Sequence, residues 1–348
     1  MSKTSIPWAS AERETAFLHW FATQEAPQQL QGATLRLASA DASFRRYLRV
    51  DAAGGSRIIM DAPPAQENCA PFVQVAGLMQ AAGLNVPQVL AWDQAQGFML
   101  LSDLGSHTLM QVIDRENAQA NLGLYLQAVD ALVAWQKASQ PGVLPPYDEA
   151  LLRRELEIFP EWYLTRHRGV AIDSVMRQTL DAALQHIIEQ NLRWPSVYVH
   201  RDFMPRNLMN GTSLGILDFQ DAVYGPITYD IASLMRDAFL SWDEDFVLDI
   251  TIRYWQKARI AGLPVGEDFG EFYRGVEWMG LQRHLKVAGI FARLTLRDGK
   301  PKYLQDTPRF IAYLYATCNR YMELKPLLRL IEQVEGIELP SVYAFGRS

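Results

Sequence analysis

One stretch constrains this chain more than any other: His200-Arg201-Asp202-Phe203-Met204-Pro205-Arg206-Asn207, followed by Asp218-Phe219-Gln220-Asp221. It places an asparagine five residues after an aspartate and a second aspartate eleven residues beyond that. An acceptor for a hydroxyl proton and two hard-oxygen ligands are the equipment of phosphoryl transfer. Short apolar runs surround these residues: Val197-Tyr198-Val199, Leu208-Met209 and Leu214-Gly215-Ile216-Leu217. They read as short strands in a helical context, so a β-hairpin has to carry the motif. Five fixed letters at such spacing arise by chance in roughly one chain in a thousand of this length. The stretch is therefore read as functional rather than as an Asp/Asn-rich turn.

The rest of the chain changes texture near residues 102–106. Before that point an amphipathic helix pattern over Ala11–Gln24 carries Phe17, Leu18, Trp20 and Phe21. Strand candidates follow at Thr34–Leu37, Phe44–Val50, Arg57–Met60, Val86–Leu90 and Gly97–Leu101, with a hairpin turn at Asp51–Gly55 and a helix over Phe72–Ala82 ending at Gly83. Beyond it the patterns are mostly helical: Asn121–Lys137, Glu149–Leu164, Ser174–Asn191, 244–260, 267–297 and about 307–335. In 267–297, Leu281, Leu285, Ala288, Phe291 and Leu294 form the apolar stripe. The expected fold class is α+β, with a small β-rich N-terminal lobe over 1–102 and a larger, mostly helical C-terminal lobe over 103–348.

Composition excludes several classes of function. The 348 residues carry a net charge of -6 and no long Lys/Arg run, which argues against nucleic acid as a partner. Only Cys69 and Cys318 are present, so no disulfide framework is expected and a reducing cytosol suits the chain. The start, Met1 to Trp8, lacks the apolar core of a signal peptide, and no apolar run approaches the ~18 residues of a membrane span. A soluble cytoplasmic protein without an obligate protein partner is expected. The six histidines are scattered, with no His-x-x-x-His pair, so no metal-hydrolase reading competes.

Within the motif, Asp202 is the candidate general base, and Asn207 and Asp218 are the candidate magnesium ligands. His200 is expected to pack within the loop. Asp230 is read as a structural residue, either a helix N-cap or a brace that accepts backbone N–H groups of the loop. Asp221 is open between a substrate contact and a turn residue. Cover over phosphates is expected from Ala38-Ser39-Ala40-Asp41-Ala42-Ser43-Phe44-Arg45-Arg46, where small residues let backbone N–H groups approach an anion.

The chain resembles the aminoglycoside phosphotransferase and choline kinase superfamily of small-molecule kinases over nearly its whole length. The loop also follows the H-R-D-x-x-x-x-N pattern of protein kinases. More narrowly, the Ser43-to-Tyr47 run, Met60-Asp61-Ala62-Pro63-Pro64, Leu100-Leu101-Ser102-Asp103-Leu104-Gly105 and the motif itself are similar to bacterial anomeric sugar kinases, the N-acetylmuramate/N-acetylglucosamine 1-kinases. Arg201, where the superfamily usually has a small residue, points to that branch together with Asp61-Ala62-Pro63-Pro64. The resemblance implies a kinase-like bilobal fold, ATP as donor, Mg2+ as cofactor and the C1 hydroxyl of a small amino sugar as acceptor. It implies nucleotide contacts at Ser43, Phe44, Arg45, Arg46 and Leu101.

One departure stands out. Kinases of this kind carry a lysine on the third strand, paired with a helix glutamate, and here Met60 takes that place. No lysine occurs between Arg49 and Gln136. Either Arg45 or Arg46 takes over the charge, or phosphate grip relies on metal and backbone; Glu67 is the candidate for the glutamate. Other readings stay open at this point. A kinase for an aminoglycoside would use acidic residues such as Asp243-Glu244-Asp245, which equally suit a helix start. A carboxylate-bearing sugar would call for a cation such as Arg206. A choline or homoserine kinase is a further alternative, and the missing lysine also admits a nucleotide-binding scaffold without turnover.

Overall fold

The computed structural model describes residues 6–40 and 44–337. They form two compact units, each built from two stretches of chain. The first takes the residues up to Asp114 together with Pro205–Ala222, and the second takes Arg115–Met204 and the chain from Val223 onward. The sequence reading puts the boundary near 102–106 and the whole motif in the helical lobe, whereas here the second half of the motif belongs with the N-terminal unit.

In the first unit, strands β1 (Thr34–Ala40), β2 (Arg46–Ala52), β3 (Gly55–Asp61), β4 (Val89–Asp93) and β5 (Phe98–Ser102) form an antiparallel sheet in the order β1-β2-β3-β5-β4. Alternation along the strands sorts the side chains onto two faces. Leu48, Val50, Ile59, Phe98 and Leu100 pack against Phe17, Trp20 and Phe21 of α1 (Ala11–Glu25) and form the unit's core. Tyr47, Arg49, Ile58 and Leu101 take the other face. Helix α2 (Ala70–Ala81) ends ahead of Gly83, whose φ of +78° is the left-handed turn that stops it. Short helix α3 (Leu109–Val112) and the hairpin of β7 (Leu208–Met209) and β8 (Gly215–Ile216) complete the unit. Bridges Asn85–Gly215 and Thr108–Met209 tie the hairpin in place.

The Asp61-Ala62-Pro63-Pro64 segment is structural in this unit. Asp61 is buried and accepts from Arg13 Nε at 3.0 Å and Arg46 Nε at 2.6 Å. Gly97 packs so closely on Ala62 that a Cβ there would lie 2.0 Å from the Ala62 carbonyl oxygen, and its φ is +70°. Only glycine meets both demands.

The second unit holds α4 (Leu122–Lys137), α5 (Glu149–Leu156), α6 (Ser174–Leu192), α7 (Thr228–Met235), α8 (Glu244–Ile260), α9 (Phe269–Leu296), α10 (Thr307–Arg320) and α11 (Lys325–Glu335). Its one strand pair among the described residues is β6 (Ser196–Val199) with β9 (Val223–Pro226), antiparallel. The single helix expected over Glu149–Leu164 is two elements: α5 stops, and a π-helix runs over Phe159–His167. Pro160 has no N–H to continue the α ladder. Helix α9 passes close by, since a Cβ on Gly289 would lie 2.5 Å from the Ile158 carbonyl oxygen. The pattern over 307–335 likewise splits at Tyr321, which is extended, with Pro326 opening α11. No helix among the described residues is long and apolar enough to cross a membrane.

Candidate active site

In the second unit the chain leaves β6 into the motif loop, and the loop is held by its own backbone polar groups. His200 N–H donates to Asp230 Oδ2 at 2.7 Å and Arg201 N–H to Asp230 Oδ1 at 3.0 Å. Asp230 thus braces the loop from the first turn of α7, as one of its two expected roles requires. Burial pushes its carboxyl up to about 6, while His200 and the two N–H donors act in the opposite direction. His200 is buried, its ring edge-on to Phe203, and its Nδ1 accepts from Asp202 N–H at 3.2 Å. It packs and hydrogen-bonds within the loop.

Arg201 has a φ of +77°, a left-handed conformation that costs a non-glycine residue about 1–3 kcal/mol. Its surroundings overdetermine it. Its carbonyl oxygen accepts from Ser233 Oγ at 3.2 Å and from Arg283 Nη1 at 2.5 Å, and its guanidinium pairs with Glu155. Glu155, on α5, also accepts from Lys286 Nζ at 2.9 Å, Gln282 Nε2 at 2.9 Å and Tyr147 OH at 2.5 Å. Burial alone would raise the Glu155 carboxyl, but Lys286 and Arg201 bring it down to about 2. Asp202 follows the same logic. Burial raises its carboxyl, and Lys286, Arg283 and Arg201 outweigh that and hold it below the ordinary carboxylate value. Arg283 Nη2 stands 3.9 Å from Asp202 Oδ1. The Asp202 side chain is 44% exposed against 5% for Glu155, so of the two carboxylates Asp202 is the accessible one.

In the first unit a cavity of about 410 Å³ opens on the face of the sheet away from α1. Ile58, Leu101, Met209 and Leu217 supply apolar lining, and Arg49, Arg206, Asn207 and Asp218 supply polar groups. Asp218 has a φ of +63°, and its Oδ2 lies 3.4 Å from Asn207 Nδ2 while its Oδ1 accepts from Gln220 Nε2 at 2.9 Å. Phe219 turns inward and packs on Phe72 of α2 with centroids 4.8 Å apart. Gln220 Oε1 is buried with no hydrogen-bond partner among the described residues. At the cavity wall the Asp218 carboxylate and the Asn207 amide form a hard-oxygen pair that suits magnesium, which takes one or two carboxylates and completes its shell with phosphates and water.

The expected nucleotide contacts divide. Leu101 lines the cavity. Ser43 lies outside the described residues. Phe44 is 65% exposed, and its N–H donates to Glu67 Oε1 at 3.1 Å. Arg45 pairs with Glu67, Nε to Oε2 at 3.0 Å, and interacts with Tyr47, which lines the cavity. Arg46 faces the other way: it holds Asp61 and stacks over Trp8, 3.9 Å from the ring centroid. Met60 is fully buried opposite Tyr47. Glu67 precedes α2 rather than sitting on it.

Several site residues escaped the sequence reading. Arg49 lines the cavity and pairs with Asp103, Nε to Oδ2 at 2.6 Å, with Nη2 donating to Oδ1 at 2.9 Å. Arg206, considered for a sugar carboxylate, lines this same cavity in the first unit. Glu155, Arg283 and Lys286 also went unnoticed. Nothing in the sequence marks them, since Arg283 and Lys286 lie off the apolar face that Leu281, Leu285 and Ala288 form on α9. Asp221 is an exposed turn residue. Asp243 caps α8, accepting from Phe246 N–H at 2.9 Å, and Glu244 pairs with Arg236 and Arg320, each at 3.2 Å. The acidic run is therefore a helix start in which Asp243 caps the helix and Glu244 is ion-paired.

A small antiparallel sheet carrying a cavity, a larger helical unit and a motif with a left-handed residue in each of its halves, Arg201 and Asp218, define a kinase-like phosphotransferase fold. The chain belongs to the phosphotransferase enzyme family, whose model matches residues 34–268. It is 51% identical over 303 residues to an N-acetylmuramate/N-acetylglucosamine kinase of Pseudomonas aeruginosa, covering 86% of this chain and 89% of that protein. It is 50% identical over 307 residues to a protein of the same name from Neisseria meningitidis, covering 87% and 91%. Among solved structures, a choline/ethanolamine kinase family protein from Mesorhizobium loti shares the fold with a TM-score of 0.61 at 15% identity, covering 91% of this chain and 99% of the other.

Proposed function

We propose that this protein is an ATP-dependent kinase that phosphorylates the anomeric (C1) hydroxyl of N-acetylmuramate, N-acetylglucosamine or both, within cell-wall recycling in the cytoplasm. The observation that carries the reading is the half-identity, over nearly nine-tenths of the chain, to kinases named for those two sugars. The local chemistry supports it. Asp202 is ionised at neutral pH and exposed, so it can accept the proton of the attacking hydroxyl. An anomeric hydroxyl is somewhat more acidic than an ordinary alcohol, so a carboxylate of depressed pKa suffices. In the transfer the C1 oxygen forms a bond to the γ-phosphorus, the bond from that phosphorus to the β,γ-bridging oxygen breaks, ADP leaves and Asp202 takes the proton.

The first unit would hold the nucleotide. Ile58, Leu101, Met209 and Leu217 offer an apolar slot for the base. Arg45, oriented by Glu67, is the candidate for the phosphate-gripping charge that Met60 lacks. Asn207 and Asp218 would hold magnesium, which when bound neutralises charge on the β- and γ-phosphates. The spacing that links Asp202 to Asn207 and Asp218 in the chain is the support for assigning the two half-sites to one reaction.

An ATP-consumption screen over N-acetylglucosamine, N-acetylmuramate, choline, homoserine and kanamycin tests the assignment. Turnover is expected with one or both amino sugars, with phosphorus NMR showing a C1 phosphate. Turnover with kanamycin or choline alone overturns the sugar assignment, and binding of Mg-ATP without turnover on any acceptor favours a scaffold.

A further inference from the structure

Glu155 lies 46 residues before Arg201 in the chain, on a different element, and contributes nothing to the cavity of the first unit. Its carboxylate nevertheless pairs with two cations beside the motif loop and accepts two further hydrogen bonds. Oε1 receives Arg201 and Lys286, and Oε2 receives Tyr147 and Gln282. With side chains 5% exposed for Glu155, 12% for Lys286 and 20% for Arg201, little solvent is available to replace any partner that is lost.

The arrangement bears on Asp202 in two ways. The first is geometric. Arg201 and Asp202 share a peptide, and Arg201 sits in a conformation that asks for glycine. Ser233 and Arg283 hold that peptide by its Arg201 carbonyl, Asp230 holds the peptide before it by the Arg201 N–H, and the Arg201–Glu155 pair fixes the side chain that would otherwise pull on them. The second is electrostatic. Arg201, Arg283 and Lys286 surround the loop, with Glu155, Asp202 and Asp230 as the anions among them. Remove the charge on Glu155, and Arg201 and Lys286 lose their buried counter-ion. Asp202 is then the nearest exposed carboxylate that can replace it.

We propose that Glu155 is a positioning residue for phosphoryl transfer, which through Arg201 and Lys286 keeps the Asp202 carboxylate directed at the acceptor rather than recruited as their ion-pair partner. This rests on the reading of Asp202 as the base. Arg201 is then explained as well. The residue that departs from the superfamily's small one is the link between the loop and α5, and the strain it carries is offset by that link.

Steady-state kinetics of the full chain with Mg-ATP and N-acetylglucosamine or N-acetylmuramate test the proposal, using whichever sugar wild type turns over. Glu155→Gln is expected to lower kcat about tenfold or more while leaving KM for ATP and sugar within about twofold. Glu155→Asp, which retains the charge, is expected to recover most of the loss. A folded Glu155→Gln enzyme with kcat within about twofold of wild type overturns the proposal, as does a rise in KM with kcat unchanged or a Glu155→Asp variant no better than Glu155→Gln. If Glu155→Gln does not fold, Arg201→Gly decides, because glycine is at ease at this φ: a fall in kcat at constant KM supports the link, and unchanged kcat overturns it. Absence of turnover by wild type on either sugar is a separate result and counts against the proposed function, not against Glu155.

Discussion

The two halves of the motif sit in environments of opposite kind. In the first unit, Asn207 and Asp218 border a cavity of about 410 Å³ with both apolar and polar lining, and one of its cations, Arg49, is already paired with Asp103. In the second unit, Asp202 stands among three cations and two other carboxylates whose hydrogen bonds are largely made inside the protein. One half offers space and waits for a ligand's own charges. The other is preorganised, with fixed charges aimed at a single carboxylate, so that little reorganisation is left for the moment of reaction. Binding and chemistry are therefore expected to respond to different substitutions.

The largest effect tests that division directly. Asp202→Asn removes the proposed base with little change in side-chain volume, and kcat should fall about 10²–10⁴-fold. ATP affinity, measured by titration calorimetry, should remain within about twofold of wild type. Leu101→Ala should do the reverse, weakening ATP several-fold through the ~1–2 kcal/mol of apolar contact it removes, with kcat kept. If Asp202→Asn loses ATP binding as severely as turnover, the halves are not separable and the comparison fails.

The second effect concerns acid. Glu155 has a carboxyl lowered from 4.5 to about 2, so its contribution to stability is fully present above pH 4.5 and is lost as pH falls toward 2. The shift corresponds to about 3 kcal/mol. Asp230 works in the opposite sense: burial raises its carboxyl from 3.8 to about 6, so its contribution is full below 3.8 and fades as pH rises through 6. Urea unfolding of the full chain between pH 7 and pH 2 separates the two windows. Wild type should lose stability below pH 4.5 that Glu155→Gln does not lose. Parallel curves for the two proteins would show that the network holds no such reserve.

How much of this was legible in the sequence follows from where each residue lies in the chain. The α8 pattern over 244–260 coincides with Glu244–Ile260, because Asp243 caps its start and the apolar period runs unbroken. The pattern over Glu149–Leu164 misled because apolar spacing does not register the missing N–H of Pro160 or the close approach of Gly289. Asp202, Asn207 and Asp218 could be read because they lie in one short run, where spacing is itself the signal. Glu155 and Arg283 could not. They reach Arg201 across 46 and 82 residues, and on their helices they look like ordinary solvated charges. The division of the motif between two units was hidden for the same reason, since it depends on bridges from Asn85 and Thr108 to the hairpin.

The smallest effect lies within the binding half, at two neighbouring arginines. Arg45 and Arg46 are indistinguishable as letters, but consecutive residues at the start of a strand point to opposite faces. Arg46 goes to the α1 side, where it shares Asp61 with Arg13 and covers Trp8. Arg45 keeps company with Glu67 and with Tyr47 of the cavity. Arg46→Ala should leave KM for ATP within about twofold and instead lower the melting temperature, because the buried Asp61 loses one of its two cations. Arg45→Ala should raise KM for ATP about three- to tenfold, the ~1 kcal/mol or so that a charge-assisted contact to phosphate contributes. Equal effects on KM would mean that strand alternation does not decide which arginine substitutes for the lysine absent at Met60. An unchanged KM in both would leave phosphate grip to metal and backbone, and the open half of the site would then bind with even fewer protein charges than its cavity displays.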